Sequence, residues 1–318
     1  MSALVADIGG SKSRFALANS AGWPEHILII ENDTVPDLEA AVVRYLDKTG
    51  ARPQAATLAV AGLIEGEEIA LTNRAWRFHR TEFAKRFGFS HLHIVNDFEA
   101  VAWALPRLGP AHTRPLGDCT LRREGVKVAL GPGTGLGVAA LVPAEGRWHV
   151  VASEGGHASF GPNEAGEEAV FARLREQCGW VSAETVLSGR GLVRLAGALD
   201  PKPAYRAPEP IVAEAHAGHP MAQTITRLFV RLLGRFAGDL ALTFKALGGV
   251  YVTGGVAHGL GTLLDDPQFR AAFEAHPPYE SLLKSIPTHL VTYEQPGLVG
   301  CATLAQLGET SPAAAKSA

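Results

Sequence analysis

Apolar residues along the chain follow two patterns, short continuous runs and longer segments in which they recur at helical spacing. The runs have the length of buried strands, and the longer segments are typical of amphipathic helices. Their alternation predicts an α/β protein. In the first part of the chain, strands are predicted at 3–8, 13–18, 57–64 and 92–97, and helices at 36–49 and about 98–105.

A second block with the same alternation begins near residue 126. Both blocks open with a strand, a glycine-rich turn and a second strand, although the chain has no short-period repeat. The Pro- and Gly-rich stretch 106–118 indicates a domain boundary between them. In the second block, strands are predicted within 126–142 on either side of the turn, at 149–156 and at 248–255, and helices at 164–178 and about 220–247.

The composition narrows the class of protein. The 318 residues are 47% hydrophobic and 19% charged, and a net charge of −3 leaves no basic footprint for nucleic acid or anionic lipid. The longest uncharged stretch, 128–144, holds four glycines and two prolines and is too short to cross a bilayer. Cys119, Cys178 and Cys301 lie far apart, which argues against a disulfide framework or structural zinc. We therefore expect a cytoplasmic protein with no nucleic-acid or membrane partner.

The first glycine-rich turn, Gly9–Gly10–Ser11, is flanked by charged residues that an ordinary hairpin does not need. Asp7 precedes the turn and Lys12 follows it. Backbone N–H groups of such a turn can bind phosphate oxygens, and Ser11 adds a hydroxyl donor. Asp7 is a candidate ligand for a water-solvated Mg²⁺, which prefers few carboxylates together with phosphate oxygens. The alternative for this segment taken alone is a plain hairpin turn.

The second turn lies within 131–137, where Gly133 and Thr134 offer a backbone amide and a hydroxyl. It does not match the dinucleotide fingerprint, because Leu136 and Val138 stand where the third glycine would fall in the two registers. No Gly-Lys dipeptide occurs, so the chain has no Walker A loop. Two such turns, with a carboxylate before the first, favour a nucleotide site of another design over two ordinary hairpins.

Asn96 and Asp97 stand where a predicted parallel strand ends and a helix begins. Ligands bind at this position in open α/β sheets. Asp97 is therefore a candidate general base that receives the proton of an attacking hydroxyl. The alternative is that Asp97 only caps the helix.

Glu154 and His157 are three residues apart, but the two glycines between them disfavour a helix and hence a helical metal site. A turn that presents a carboxylate and an imidazole together suits a polyol with adjacent hydroxyls. The alternative for His157 is a structural role. Glu184 is a further candidate, and there the alternative is a helix start capped by Ser182.

Seven segments of the chain occur in the order found in the bacterial ATP-dependent glucokinases, and together they span nearly the whole sequence. The chain resembles that family, which belongs to the hexokinase/actin-like superfamily. Each segment alone is weak evidence, and the specificity lies in the ordered set. The segments are DIGGSKSRFAL, LTNRAW, GFSHLHIVNDFEAVAWALP, LGPGTGLGVAAL, SEGGHASFGPNE, VSAETVLSGRGL and GGVYVTGGV.

The resemblance implies an α/β fold of two ribonuclease-H-like, actin-like domains with a cleft between them. The small domain would comprise 1–107 with 299–318, and the large domain 108–298. The implied reaction is ATP-dependent phosphorylation of D-glucose at O6, with ATP and Mg²⁺ as cofactors. Members of the family are commonly homodimers, so a homodimer is an expectation by analogy.

The resemblance also implies roles for single residues. Asp97 would be the base that activates the sugar 6-hydroxyl, and Asp7 would anchor Mg²⁺ through water. The Gly254–Gly255 pair would let the backbone approach adenosine. The other glucose-binding residues would be Asn96, Glu154, His157 and Glu184, and the ATP-binding residues would be Asp7, Gly9, Gly10, Ser11, Lys12, Gly133, Thr134, Gly254 and Gly255.

One departure from the family pattern is Ser11–Lys12, where many members carry Thr-Asn. Serine keeps the hydroxyl, and lysine adds a positive charge near the phosphates. Two alternatives stay open: a kinase for another hexose or with another phosphoryl donor, and an actin-like ATPase without sugar kinase activity. Such an ATPase has no need for the residues assigned to the sugar, which favours the kinase.

Overall fold

The computed structural model describes residues 3–62, 64–72, 74–118, 124–200, 202 and 205–310. The strands of this part of the chain are β1 Ala3–Ile8, β2 Lys12–Ala18, β3 Pro24–Glu31, β4 Ala55–Val60, β5 Glu68–Ala70, β6 Arg77–His79, β7 His91–Asn96, β8 Thr113–Pro115, β9 Lys127–Pro132, β10 Leu136–Ala144, β11 Arg147–Ser153, β12 Gly249–Val252 and β13 Thr288–Val291. The helices are α1 Leu38–Thr49, α2 Arg80–Phe87, α3 Asp97–Ala104, α4 Glu167–Cys178, α5 Ala183–Val186, α6 Gly189–Leu199, α7 Pro208–His216, α8 Pro220–Thr243, α9 Gly255–Leu260, α10 Pro267–Glu274, α11 Glu280–Lys284 and α12 Pro296–Thr310. Short 3₁₀ turns lie at Asn32–Thr34, Pro110–His112, Gly155–His157 and Gly261–Asp265.

The chain divides into two compact units, each with its own sheet. Unit 1 comprises Met1–Leu108 and Tyr293–Ala318, and unit 2 comprises Gly109–Thr292. Strands and helices alternate in both units, so the structure is α/β, as the hydrophobic pattern predicts.

Unit 1 contains a five-stranded sheet in the order β3-β2-β1-β4-β7. The strands β1, β4 and β7 are parallel, whereas β1, β2 and β3 pair as antiparallel neighbours. Side chains of β1 alternate between two cores, because successive residues of a strand point to opposite faces. Leu4, Ala6 and Ile8 lie in the core that includes α1, and Ala3 and Val5 lie in the core that includes α12.

The helices α3 and α12 pack closely in unit 1 because a glycine lies at their contact. A β-carbon placed on Gly300 would lie 1.6 Å from the carbonyl oxygen of Ala100, so a larger residue would force the helices apart. This contact helps to fix the orientation of α3, whose first residue is Asp97.

Unit 2 contains a six-stranded sheet in the order β11-β10-β9-β12-β13-β8. The strands β9, β12 and β13 are parallel, and β10 and β11 extend the sheet as antiparallel hairpins. The core of this unit joins the sheet to α4, α6 and the long helix α8, whose buried residues include Phe229, Leu232 and Leu233.

Several predicted elements have other bounds in the structure. The predicted strand at 57–64 is β4, which ends at Val60. The strand predicted at 149–156 ends at Ser153, because the next residues form the 3₁₀ turn Gly155–His157. The helix predicted from residue 164 begins at Glu167, after Gly166 in a left-handed conformation with φ of 91°. The two strands end sooner than their apolar pattern predicts, and the helix begins later.

The cysteines concern the expectation of no disulfide framework or structural zinc, and the long helices concern the expectation of no membrane partner. Cys178 and Cys301 are unbridged thiols, and Cys119 lies outside the described residues. Burial raises the pKa of the Cys301 thiol, and the neighbouring Asp7 carboxyl raises it further. Among the helices that the structure describes, none is long and apolar enough to span a membrane.

Candidate active site

The first glycine turn joins β1 to β2 in unit 1. The N–H of Gly9 donates to the carbonyl of Lys12 at 3.1 Å, which closes the turn around Gly10 and Ser11. Ser11 is exposed, and within the described residues the N–H groups of Gly10 and Ser11 have no hydrogen-bond acceptor. Two open backbone amides and a hydroxyl can bind an anion.

Two residues that the sequence analysis did not select contact this turn. Asn32, directly after β3, is fully buried and donates to the carbonyls of Gly9 and Gly10. Arg74 also reaches the carbonyl of Gly10, at 3.4 Å. The LTNRAW segment contains Arg74 and was a signal available in the sequence, whereas Asn32 has no motif of its own.

Asp7 lies near the end of β1, on the face of the sheet that meets α12. Its carboxylate is 21% exposed and lies 3.6 Å from the Arg14 guanidinium. A β-carbon on Gly297 would lie 3.1 Å from the Asp7 carboxyl, so a larger residue there would press against that side chain. Burial raises the pKa of Asp7, and the positive charge of Arg14 acts in the opposite direction.

Lys12, the residue that departs from the family pattern, forms an ion pair with Glu31 across β2 and β3. The Nζ–Oε1 distance is 2.9 Å, and both side chains are about half exposed, at 49% and 57%. The positive charge expected near the phosphates is therefore shared with a carboxylate.

Asn96 and Asp97 stand at the end of β7 and the start of α3. Asn96 is the N-cap: its side-chain oxygen accepts from the N–H of Phe98 at 2.8 Å, and its Nδ2 donates to the Gly62 carbonyl at 3.2 Å. Asp97 is the first residue of the helix, and its Oδ1 also accepts from Phe98, at 3.0 Å. The alternative in which Asp97 is the cap is therefore wrong by one residue.

The second glycine turn, between β9 and β10 in unit 2, is closed by the N–H of Gly133, which donates to Gly135 at 2.8 Å. The Leu136 N–H donates to Oε2 of Glu184 at 2.9 Å. A β-carbon on Gly135 would lie 2.5 Å from the same oxygen, so glycine is required for this approach. Thr134, at the tip of the turn, is exposed. One amide of this turn is thus occupied by a carboxylate.

The segments that carry His157 and Glu184 are joined by backbone hydrogen bonds. Phe160 donates to Val181 at 3.0 Å, and Ala183 donates to Ala158 at 3.0 Å. This pairing places Nε2 of His157 4.0 Å from Oε2 of Glu184. The His157 side chain is 61% exposed and that of Glu184 is 22% exposed. The structure thus brings an imidazole and a carboxylate together beside the second turn.

Ser182 and Glu154 have simpler local roles. The Ser182 hydroxyl accepts from the N–H of Thr185 at 3.3 Å, so the predicted cap is present at the start of α5. This capping is compatible with the separate contacts of Glu184. Glu154 is exposed, and its carbonyl accepts from the His157 N–H at 2.9 Å. Glu154 therefore begins the turn that presents His157.

The Gly254–Gly255 pair follows β12 in unit 2. Gly254 has a φ of 94°, and a β-carbon there would lie 2.6 Å from the carbonyl oxygen of Pro132. The second glycine turn is linked to the start of α6, since Gly189 donates to the Gly133 carbonyl at 2.8 Å. A cavity of about 290 Å³ beside Gly255 is lined by Pro208, Glu209, Val212, Ala213, Gly255, Val256 and Gly259. The α7 residues of this lining were not selected from the sequence, because no motif marks them.

Solved structures with this fold include sugar kinases. The fold matches a crystal structure of a glucokinase from an Antarctic psychrotroph with a TM-score of 0.86 and 31% identity, over 96% of this chain and 99% of that one. It also matches a glucokinase of the ROK family from Streptomyces griseus, solved with glucose and AMPPNP, with a TM-score of 0.67 and 23% identity, over 97% and 100% of the two chains. The second likeness shows the fold alone. The predicted actin-like fold class is confirmed.

The family follows from sequence similarity. The Glucokinase family model matches residues 4–307, and the chain belongs to that family. It is 40% identical to a glucokinase of Agrobacterium fabrum over 310 residues, and 41% identical to a glucokinase of a Chelativorans species over 311 residues. Both alignments cover 95% of this chain and 91% of the relative. A bifunctional protein glk of Burkholderia lata is 40% identical over 307 residues, and the chain spans about half of it, 48%.

Proposed function

We propose that the protein transfers the γ-phosphoryl group of ATP to the 6-hydroxyl of D-glucose, giving glucose 6-phosphate and ADP. The observation that carries the proposal is the convergence of His157 and Glu184 beside the Gly133–Gly135 turn. A carboxylate and an imidazole 4.0 Å apart can bind neighbouring hydroxyls of a sugar. Membership of the glucokinase family supports the same substrate.

In this proposal Asp97 accepts the proton of the 6-hydroxyl as that oxygen attacks phosphorus. Asn96 caps the helix at the same point, which holds the backbone of Asp97 in place. Asn96, Glu154, His157 and Glu184 bind the other hydroxyls. Phosphoryl transfer asks little covalent chemistry of a protein, so catalysis consists of positioning the reactants and neutralising charge.

The nucleotide contacts come from three turns. The open amides of Gly10 and Ser11, with the Ser11 hydroxyl and Lys12, bind phosphate oxygens, and Gly9 shapes that turn. In unit 2 the Gly133–Thr134 turn has the same role. The Gly254–Gly255 pair lets adenosine approach the backbone, and the cavity beside Gly255 is mostly apolar, as an adenine ring requires.

Asp7 fits a role in holding Mg²⁺ through water. The described residues hold no cluster of three or more His, Cys, Asp or Glu side chains that could bind a metal on their own. A lone, partly exposed carboxylate beside a phosphate-binding turn matches the way Mg²⁺ is held by one or two carboxylates and substrate phosphates. When bound, the ion would neutralise charge on the phosphates.

The test is an acceptor panel in which ADP release is recorded with ATP, Mg²⁺ and either glucose, mannose, fructose, glucosamine or no sugar. We expect ADP chiefly with glucose. Activity mainly with another sugar, or with another phosphoryl donor, would favour the first alternative. Hydrolysis that is independent of sugar would favour an actin-like ATPase. The homodimer and the cytoplasmic location stay predictions, the latter resting on the scattered cysteines.

Asp97→Asn tests the assignment of the base. Removing a general base lowers kcat by roughly 10²–10⁴-fold, and we expect the KM for glucose to change by less than about threefold. Asp37→Asn is the matched control, because Asp37 is the N-cap of α1 in the same unit and asparagine caps equally well. Equal kcat values for Asp97→Asn and the parent would refute the assignment.

A further inference from the structure

We propose that Asn32, supported by Arg74, is a positioning residue for the first phosphate-binding turn. It holds the carbonyl groups of the turn on one side so that the amides of Gly10 and Ser11 stay available to the anion. The inference rests on the proposed function, in which this turn binds phosphates of ATP.

Asn32 bonds to the carbonyl of every residue of the turn. Its Nδ2 donates to Gly9 at 2.8 Å and to Gly10 at 3.1 Å. Its backbone N–H donates to the carbonyl of Ser11 at 2.8 Å. The side chain has no exposed surface, so water does not replace these bonds. A single buried residue therefore fixes the orientation of all three carbonyls.

The side-chain amide of Asn32 is itself oriented. The Ser13 hydroxyl, also fully buried, donates to Oδ1 of Asn32 at 2.7 Å. The carbonyls of Gly9 and Gly10 can only accept, so they place Nδ2 on the side of the turn, and the Ser13 hydroxyl donates to the remaining Oδ1. Rotation of the amide by half a turn would lose both hydrogen bonds to the turn carbonyls.

Arg74 strengthens the arrangement from the loop after β5. Its guanidinium donates to the Asn32 carbonyl at 2.8 Å and to the Gly10 carbonyl at 3.4 Å. It also pairs with Asp33 at 2.8 Å and lies over the ring of Trp76, 4.5 Å from the centroid. The Arg74 side chain is 20% exposed, so its geometry is held by these partners. This gives the LTNRAW segment a role that the sequence analysis did not assign.

A second asparagine in the same unit bonds to the opposite backbone groups of its turn. Asn19, at the β2–β3 turn, uses its side-chain oxygen to accept the N–H groups of Ala21 and Trp23, both at 2.9 Å. Asn19 therefore occupies amides, as an asparagine in an ordinary turn does. Asn32 occupies carbonyls and leaves amides open, which is the arrangement an anion requires.

The experiment is Asn32→Asp, with affinity for ATP·Mg²⁺ measured by calorimetry without sugar and KM values measured for both substrates. Aspartate keeps the shape but places an acceptor against the Gly9 and Gly10 carbonyls. We expect the Kd and KM for ATP to rise by about tenfold or more, because the amides of Gly10 and Ser11 lose their hydrogen bonds to the charged phosphate. The KM for glucose should change by less than about twofold. Asn19→Asp is the control. It places a carboxylate against Glu25, to which the Asn19 Nδ2 donates at 2.7 Å, so a lower melting temperature is expected, whereas the Kd and KM values should stay near those of the parent.

Ser13→Ala keeps the proposal testable if Asn32→Asp does not fold. It removes the orienting hydrogen bond without adding charge, and a smaller rise in the Kd for ATP is expected. An unchanged Kd for ATP in a folded variant would overturn the proposal. So would an equal rise in the KM of both substrates, since a merely structural role predicts no preference for ATP. If the parent binds ATP but does not phosphorylate glucose, the proposed function fails while the calorimetry still decides this inference.

Discussion

The turn at Gly9–Ser11 is held by a neutral amide, whereas the turn at Gly133–Gly135 is held by a carboxylate. Asn32 donates to carbonyls of the first turn, and Glu184 accepts an N–H at the end of the second. Both turns follow a buried strand and precede another, and both are rich in glycine. Their partners nevertheless bond to opposite groups of the backbone, carbonyls in the first turn and an N–H in the second. Which backbone groups a glycine-rich turn leaves open to a ligand thus depends on the side chains that bond to it as well as on its own residues.

The difference indicates that the two turns suit different ligand groups. The first turn has two open amides and so suits phosphate alone. The second has Glu184 beside it, within 4.0 Å of His157, and a carboxylate repels a phosphate but binds hydroxyls. Under the proposed function, the second turn would link the side chains that bind the sugar to the nucleotide, and the first turn would bind the nucleotide only.

The same contrast extends to the loop after His157. Glu167, at the start of α4, accepts from the Asn163 N–H at 2.9 Å and pairs with Arg235 at 2.8 Å and Arg231 at 2.9 Å. Burial raises the pKa of Glu167, but the Asn163 N–H and the two arginines outweigh it, and the pKa lies below its usual value. Unit 2 therefore holds the loop after His157 with buried ion pairs, whereas the fully buried partner of the first turn in unit 1 is the neutral Asn32, with the partly exposed Arg74 beside it.

The largest effect expected from this comparison is that of Glu184→Ala. Under the proposed function the substitution leaves sugar hydroxyls without their carboxylate partner, so kcat/KM for glucose should fall by about a thousandfold. The KM for ATP should change by less than about threefold, since the first turn is intact. Glu176→Ala, on the exposed face of α4, is the control. A loss confined to the KM for ATP would reverse this assignment of ligand groups to the two turns.

Glu167→Gln tests the ion pairs of Glu167 with Arg231 and Arg235 and the pH dependence of the stability they provide. Arg231 keeps its second partner, Glu164, at 2.7 Å, but the buried Arg235 loses its ion-pair partner. The free energy of unfolding should therefore fall by about 3 kcal/mol at pH 7. Because the folded-state pKa is lowered, the stability due to the ionised group is fully present above the ordinary value of 4.5 and is lost as pH falls through the lowered pKa. Denaturation curves at pH 7, 5 and 4 should show the two proteins converging only at the acidic end. A constant difference across this range would contradict the assignment.

The smallest expected effects are those of two alanine substitutions in the second turn, Gly133→Ala and Gly135→Ala. A β-carbon on Gly133 meets nothing within 4 Å, whereas one on Gly135 would lie 2.5 Å from the Glu184 carboxylate. Gly133→Ala should therefore keep the parent's melting temperature but weaken ATP binding by about tenfold, because the methyl group stands where a phosphate approaches the backbone. Gly135→Ala should raise the KM for glucose instead, through displaced Glu184. Tight ATP binding by Gly133→Ala would mean that the second turn does not contact phosphate.

The sequence by itself determined the α/β class, several of the elements, the two turns and the family. Strand β1, helix α1 and the hairpin turns follow from period, turn residues and caps, which depend on neighbours in the chain. The order of the motifs identified the family, and the family model confirms it. The predicted roles of single residues await the experiments above.

Only the tertiary structure decided which groups meet at each turn. Asn32 lies 23 residues from Gly9 and Glu184 lies 48 residues from Leu136, and no periodic pattern connects such positions. Nor did any local signal show that Asn96 rather than Asp97 caps α3. The physical reason is that periodicity and turn chemistry are encoded locally, whereas the orientation of a backbone amide depends on partners that packing of the whole unit brings beside it.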